Sequence, residues 1–175
     1  MNVKVMVYLF FAILIVIYFR SALRSVRSHG FYVFFGFESL LALIFLNIEF
    51  WSSHNVSWLG ILNHVLMAAA AFIALSSFYG LKKHGKPEEG WEETTVLITQ
   101  GIFKYIRHPL YSSLMLASLG VLLKHFSLAA GFVFLFAVGS LFAASLVEEK
   151  ENLEKFGNLY HRYKKGSKRF VPFLI

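Results

Sequence analysis

Apolar positions in this chain come in long runs, broken at a few points by clusters of charge. Val5 to Phe19 is apolar throughout and extends to Val3 across Lys4. It ends in Arg20, Arg24 and Arg27 with no small-residue cleavage site, which favours an anchored helix over a removed leader. Phe31 to Phe50 is a second run, interrupted by Glu38, Asn47 and Glu49, and Trp51 to Ser57 is a short polar turn. Trp58 to Tyr79 is a third run, with Asn63 and His64 near its start. Leu110 to Leu123 is a shorter fourth, and Lys124-His125 turns the chain into a fifth, Phe126 to Val147. About 20 apolar residues cross a bilayer core, and Trp51, Trp58 and Tyr79 stand where interfacial aromatics belong. The pattern predicts an all-α integral membrane protein of five transmembrane helices, the last two forming a tight hairpin. It forms a single membrane domain over 1–175: three N-terminal helices over 1–80, a loop over 81–109, the hairpin over 110–147 and an amphipathic tail over 148–175.

Composition agrees with the pattern. The chain of 175 residues is 57% hydrophobic and 15% charged, where ordinary globular domains carry about 25% charge. The absence of cysteine excludes disulfides, thiolate metal sites and a cysteine nucleophile. A net charge of +7 could suggest nucleic acid, but basic loops in a membrane protein set its orientation instead. Three basic residues follow the first run, five lie between Lys82 and Arg107, and seven lie in the tail, against Lys4 and Lys124 on the other side. The expected topology is therefore multi-pass, with the N-terminus outside and the central loop and C-terminus cytoplasmic. No nucleic-acid partner is expected.

Chemistry concentrates in two polar knots. Gly101 to Tyr111 reads GIFKYIRHPLY, and Pro109 fits the first position of the fourth helix. Arg107 and His108 then sit at a helix start beside free backbone N–H groups, which suits a carboxylate. Val147-Glu148-Glu149-Lys150 closes the fifth run, and the hairpin brings the two knots together. On spacing alone this is either an interfacial salt bridge or a site for a zwitterionic small molecule. Glu38, inside the second run, is a candidate for proton abstraction, or a bundle-facing glutamate bonded to a hydroxyl. Asn63 and His64 suit interhelical hydrogen bonds. The remaining histidines show no ligand spacing, so no metal is expected.

The order GIFKYIRHPLY, apolar hairpin, Glu148-Glu149, then Phe156-Gly157 with Tyr160, Tyr163 and Lys164, resembles the isoprenylcysteine carboxyl methyltransferase family over the C-terminal half. The resemblance implies an integral membrane methyltransferase that uses S-adenosylmethionine from the cytoplasmic face, with a lipophilic small molecule or lipid as acceptor. It places the cofactor against Thr95, Val96, Leu97, Ile98, Phe103, Arg107, His108, Pro109, Leu110, Tyr111, Glu148 and Glu149. His108, Arg107 and exposed N–H groups would hold the methionine carboxylate, Glu148 the ribose or ammonium, and Leu97, Ile98 and Tyr111 the adenine. Phe103 stands where the family usually has tyrosine. Ala144 stands where prenylcysteine methylation is associated with an arginine. The rival readings are a membrane NADPH-dependent reductase of the sterol or steroid type, and a non-enzymatic assembly or lipid-binding protein.

Overall fold

The computed structural model describes residues 3–51, 58–85 and 95–172. The polar turn after Trp51, most of the charged part of the central loop and the last three residues lie outside the described residues. Six α-helices are described: α1 Val3–Phe19, α2 His29–Leu46, α3 Trp58–His84, α4 Pro109–Lys124, α5 Leu128–Phe156 and α6 Asn158–Gly166. Of these, α2, α3 and α5 are long and apolar enough to cross a membrane, whereas α1 and α4 are shorter apolar helices. At 1.5 Å per residue, α1 and α4 reach roughly 25 Å against a core of about 30 Å. This is an all-α membrane protein.

Local chemistry sets the helix starts. Pro109 occupies the first turn of α4, as its missing N–H predicts. Ser28 and Ser127 cap α2 and α5, their side chains accepting from Gly30 N and Ala130 N. Gly157, at φ +53, ends α5 and lets the chain turn directly into α6. The fifth apolar run predicts a helix end near Val147, but α5 continues to Phe156. A run marks where lipid-compatible residues stop, not where helical hydrogen bonding stops.

The packing is up and down. At one end Lys4 pairs with exposed Glu49 at 2.7 Å, and Phe50 stacks on His125 with ring centres 3.7 Å apart. Phe19 and the start of α2 lie at the other end, with Phe19 packed edge-on against Phe34. Although three residues join α4 to α5, α4 packs most extensively on α3, and α5 on α2. Buried polar side chains tie the first pair and the helix ends. Asn63 on α3 donates to Gly120 O on α4 at 2.5 Å, and Asn47 donates to Val121 O at 3.1 Å. His64, by contrast, bonds within its own helix to Gly60 O. Between α2 and α5 the contact is steric: Leu141 is fully buried and fills the space a side chain at Gly36 would need.

This close approach is testable. A Cβ at Gly36 would lie 2.6 Å from Leu141, whereas one at Gly139 meets nothing within 4 Å. Gly36→Ala should therefore destabilise by about 1–3 kcal/mol, the usual cost of overpacking. Gly139→Ala should leave stability unchanged or slightly raised. Thermal unfolding in detergent reads both, and equal melting of the two variants would contradict the α2–α5 packing.

Candidate functional site

The two polar knots meet at the end of the bundle where α1 finishes and α2 begins. Residues 105–108 run alongside the chain after α6, with a parallel bridge between Ile106 and Lys168. Arg107 N donates to Lys168 O at 2.7 Å, and His108 N donates to Arg169 O at 3.1 Å. The N–H groups of Arg107 and His108 themselves are thus occupied by the tail, ahead of the first turn of α4. Ser112 reaches across the same seam, its hydroxyl donating to Phe170 O at 2.8 Å. Phe170 packs against His108 and Phe142.

Adjacent glutamates on α5 have different surroundings. Glu149 is 4% exposed. Its Oε1 accepts from Arg107 Nε at 3.0 Å and Arg169 Nε at 3.1 Å, and its Oε2 lies 2.7 Å from Lys164 Nζ and 3.0 Å from Arg169 Nη2. Arg107 Nη1 also donates to Ser167 O. The Arg107 guanidinium and Glu149 are therefore spent on holding the tail to the start of α4. Glu148 faces differently. Its side chain is 30% exposed, and Oε2 accepts from His108 Nδ1 at 3.1 Å. His108 is buried with its ring stacked on Tyr111. Burial opposes a charged imidazole, but the Glu148 and Glu149 carboxylates outweigh it and raise the His108 pKa.

A cavity of about 500 Å³ opens beside Glu148, within the range of small-molecule sites. Its polar end carries His29, Arg107, His108, Glu148, Glu151 and Lys155; its apolar end carries Val33 and Phe37 from α2, Ala74 and Phe78 from α3, and Leu114 from α4. Of the residues expected from sequence, Leu97, Ile98, Phe103, Arg107, His108, Pro109, Leu110, Tyr111 and Glu148 line it. Thr95, Val96 and Glu149 are not among the lining residues, and neither is Glu38 on α2, whose Oε1 is buried without a partner among the described residues. Ala144 is fully buried in a cluster with Phe19, Val33, Tyr111 and Leu141, so that face of α5 offers no cation. Sequence reasoning missed His29, Glu151, Asn152 and Lys155. The last three follow Glu148 at helical spacing and would have been found had α5 been continued past Val147. Glu151 does not pair along its helix with Lys155, as i,i+4 spacing suggests. It binds His29, whose Nδ1 lies 2.5 Å from its Oε2.

The two glutamates should respond differently to loss of charge. Glu149→Gln leaves two arginines and a lysine around a neutral amide and should destabilise by about 3–5 kcal/mol, as breaking a buried ion pair does. Glu148→Gln keeps an amide oxygen to accept from His108 Nδ1 and should cost clearly less. Detergent melting curves compare them directly, and a Glu148→Gln variant as unstable as Glu149→Gln would refute this division of roles.

Three comparisons bear on this geometry. Residues 58–158, more than half of the chain, match the family described as phospholipid methyltransferase. The chain is also 28% identical over 130 residues to Protein-S-isoprenylcysteine O-methyltransferase B of Arabidopsis thaliana, covering 74% of this chain. It spans 64% of the length of that curated relative. No solved structure matches. The matched stretch holds both polar knots and α3, α4 and α5, which supply most of the cavity wall, and the chain belongs to the phospholipid methyltransferase family.

Proposed function

We propose that the protein is an S-adenosylmethionine-dependent methyltransferase whose acceptor is a lipophilic or amphiphilic molecule drawn from the bilayer. The observation that carries this reading is the two-ended cavity, which joins a charged end at His108 and Glu148 to an apolar end among Val33, Phe37, Ala74 and Leu114. A donor with a zwitterionic amino-acid end and a flat nucleoside fits those surroundings. Glu148, partly exposed into the cavity, can accept from an ammonium, while Leu97, Ile98 and Tyr111 offer apolar surface for a base. When bound, such a cofactor supplies an activated methyl on a sulfonium. The protein's own contribution is then alignment of donor and acceptor and exclusion of water by the apolar wall. Arg107 would act through Glu149 and the tail, holding His108 in place rather than touching the ligand.

The acceptor is expected to lack a carboxylate. The cations beside Glu148 are committed, Arg107 and Arg169 to Glu149 and His108 Nδ1 to Glu148, while Lys155 lines the cavity farther along α5. The arginine position of the prenylcysteine enzymes is filled by the packed Ala144. An acceptor carboxylate without a paired cation carries a desolvation cost of several kcal/mol, whereas a zwitterionic donor brings its own ammonium. A lipid with an amine, thiol or hydroxyl avoids that cost. Read as five passes, with α1 and α4 as short ones beside the three long apolar helices, the chain would carry its charged end on the cytoplasmic side, because the basic residues congregate there.

Calorimetry on detergent-purified protein tests the cofactor. S-adenosylhomocysteine should bind and NADPH should not, and Glu148→Gln should weaken binding by about 1.5–3 kcal/mol, roughly ten- to a hundredfold. Methyl-labelled donor supplied with a lipid extract should send label into the organic phase. Binding of NADPH alone, or wild-type affinity in Glu148→Gln, would overturn the proposed site. Orientation has its own test, because the chain lacks cysteine. Ser25→Cys, in the exposed segment between α1 and α2, should react with an impermeant thiol reagent from the cytoplasmic side. Reaction from the outer side would reverse the topology.

A further inference from the structure

One donor in the cavity wall has nothing to donate to among the described residues. Tyr160 lines the cavity and is 2% exposed, yet its hydroxyl has no hydrogen-bond partner. Buried polar groups are normally satisfied, and an orphan calls for a reason. Its neighbour on α6 shows the ordinary case: Tyr163 donates to Phe103 O at 2.6 Å. The Tyr160 ring is held in place by the local fold. Gly157 turns α6 back against α5, and the ring meets Tyr163 edge-on at 5.8 Å.

Two further features mark the same end of the cavity. His108 Nε2 is also buried without a hydrogen bond, lying 3.5 Å from Glu149 Oε1 but outside bonding geometry. The charges around the hydroxyl oppose one another, with Glu148 and Glu149 on one side and Arg107 on the other. An idle hydroxyl donor close to Glu148, which can hold an ammonium, suits an acceptor oxygen of the same ligand.

We infer that the Tyr160 hydroxyl is a ligand contact that donates to a carboxylate of the bound molecule, the amino-acid carboxylate of the methyl donor. This rests on the cofactor reading above and extends the site to α6. Glu148 on α5 and Tyr160 on α6 then take opposite charges of one zwitterion, and the close of the tail becomes part of ligand recognition.

The test compares two ligands on two proteins. S-adenosylhomocysteine has the carboxylate, and its decarboxylated counterpart, S-adenosylthiopropylamine, does not. Calorimetry on the full chain in detergent should show that Tyr160→Phe weakens S-adenosylhomocysteine about tenfold, as loss of a charge-assisted hydrogen bond does, and leaves the decarboxylated ligand unchanged. Unchanged affinity for both ligands, or equal weakening of both, would overturn the assignment. Wild-type protein that binds neither ligand would instead overturn the cofactor reading, and this assignment with it. A second measurement needs no ligand. If the hydroxyl has no partner in the protein, ligand-free Tyr160→Phe should melt no lower than wild type. A clear drop would show a structural hydrogen bond and contradict the inference.

Discussion

A buried carboxylate organises the functional end of this protein. Glu149 on α5 is surrounded by Arg107 from the start of α4, Lys164 from α6 and Arg169 from the segment beyond. Taking a carboxylate out of water is costly, and it persists because several cations converge on it. That convergence joins three parts of the chain that share no apolar run. The backbone follows the charges: residues 105–108 pair with 168–169, and Phe170 seats against His108. With Glu149 occupied in this way, its neighbour Glu148 faces the cavity with His108, 3.1 Å away.

The arrangement makes a cavity at one end of the bundle from helices that would otherwise only pack. The apolar parts of α2, α3 and α4 line one end of the cavity, and the extension of α5 beyond its apolar run lines the other. The short α4 begins at Pro109 with His108 buried just ahead of it. A polar group at that depth is tolerated because protein, not lipid, covers it. The same logic explains Ala144. A small residue there lets Tyr111 and Leu141 close the core beneath the cavity, and a cation would have to displace them. The tail is thus a wall of the site as well as a surface appendage.

Much of this was legible in the sequence, for identifiable reasons. The runs that predict α1 to α5 do correspond to helices, because lipid-compatible spans must satisfy their backbone internally. Pro109 marks the start of α4, and Asn63 bonds between helices as a buried amide should. The meeting of GIFKYIRHPLY with the Glu pair follows from the order of two helices joined by a short turn. Other features were not legible. Glu148 and Glu149 are neighbours of one type, and about 100° of helical rotation gives one the cavity and the other the clamp. The pairing of residues 105–108 with the tail is a backbone event between distant segments, which no local sequence pattern announces. The reach of α5 to Phe156 hid Glu151, Asn152 and Lys155, since charge after an apolar run reads as a loop. Glu38 drew notice as a charge inside a span, but three-dimensional placement leaves it outside the cavity lining.

The central claim is that a methyl donor occupies the cavity beside His108 and Glu148. A structure determined with S-adenosylhomocysteine tests it most directly. The account predicts ligand density inside that cavity, with the amino-acid end toward Glu148 and the nucleoside toward Leu97, Ile98 and Tyr111. Density for the ligand elsewhere on the protein, or a cavity filled by lipid acyl chain at saturating ligand, would contradict it.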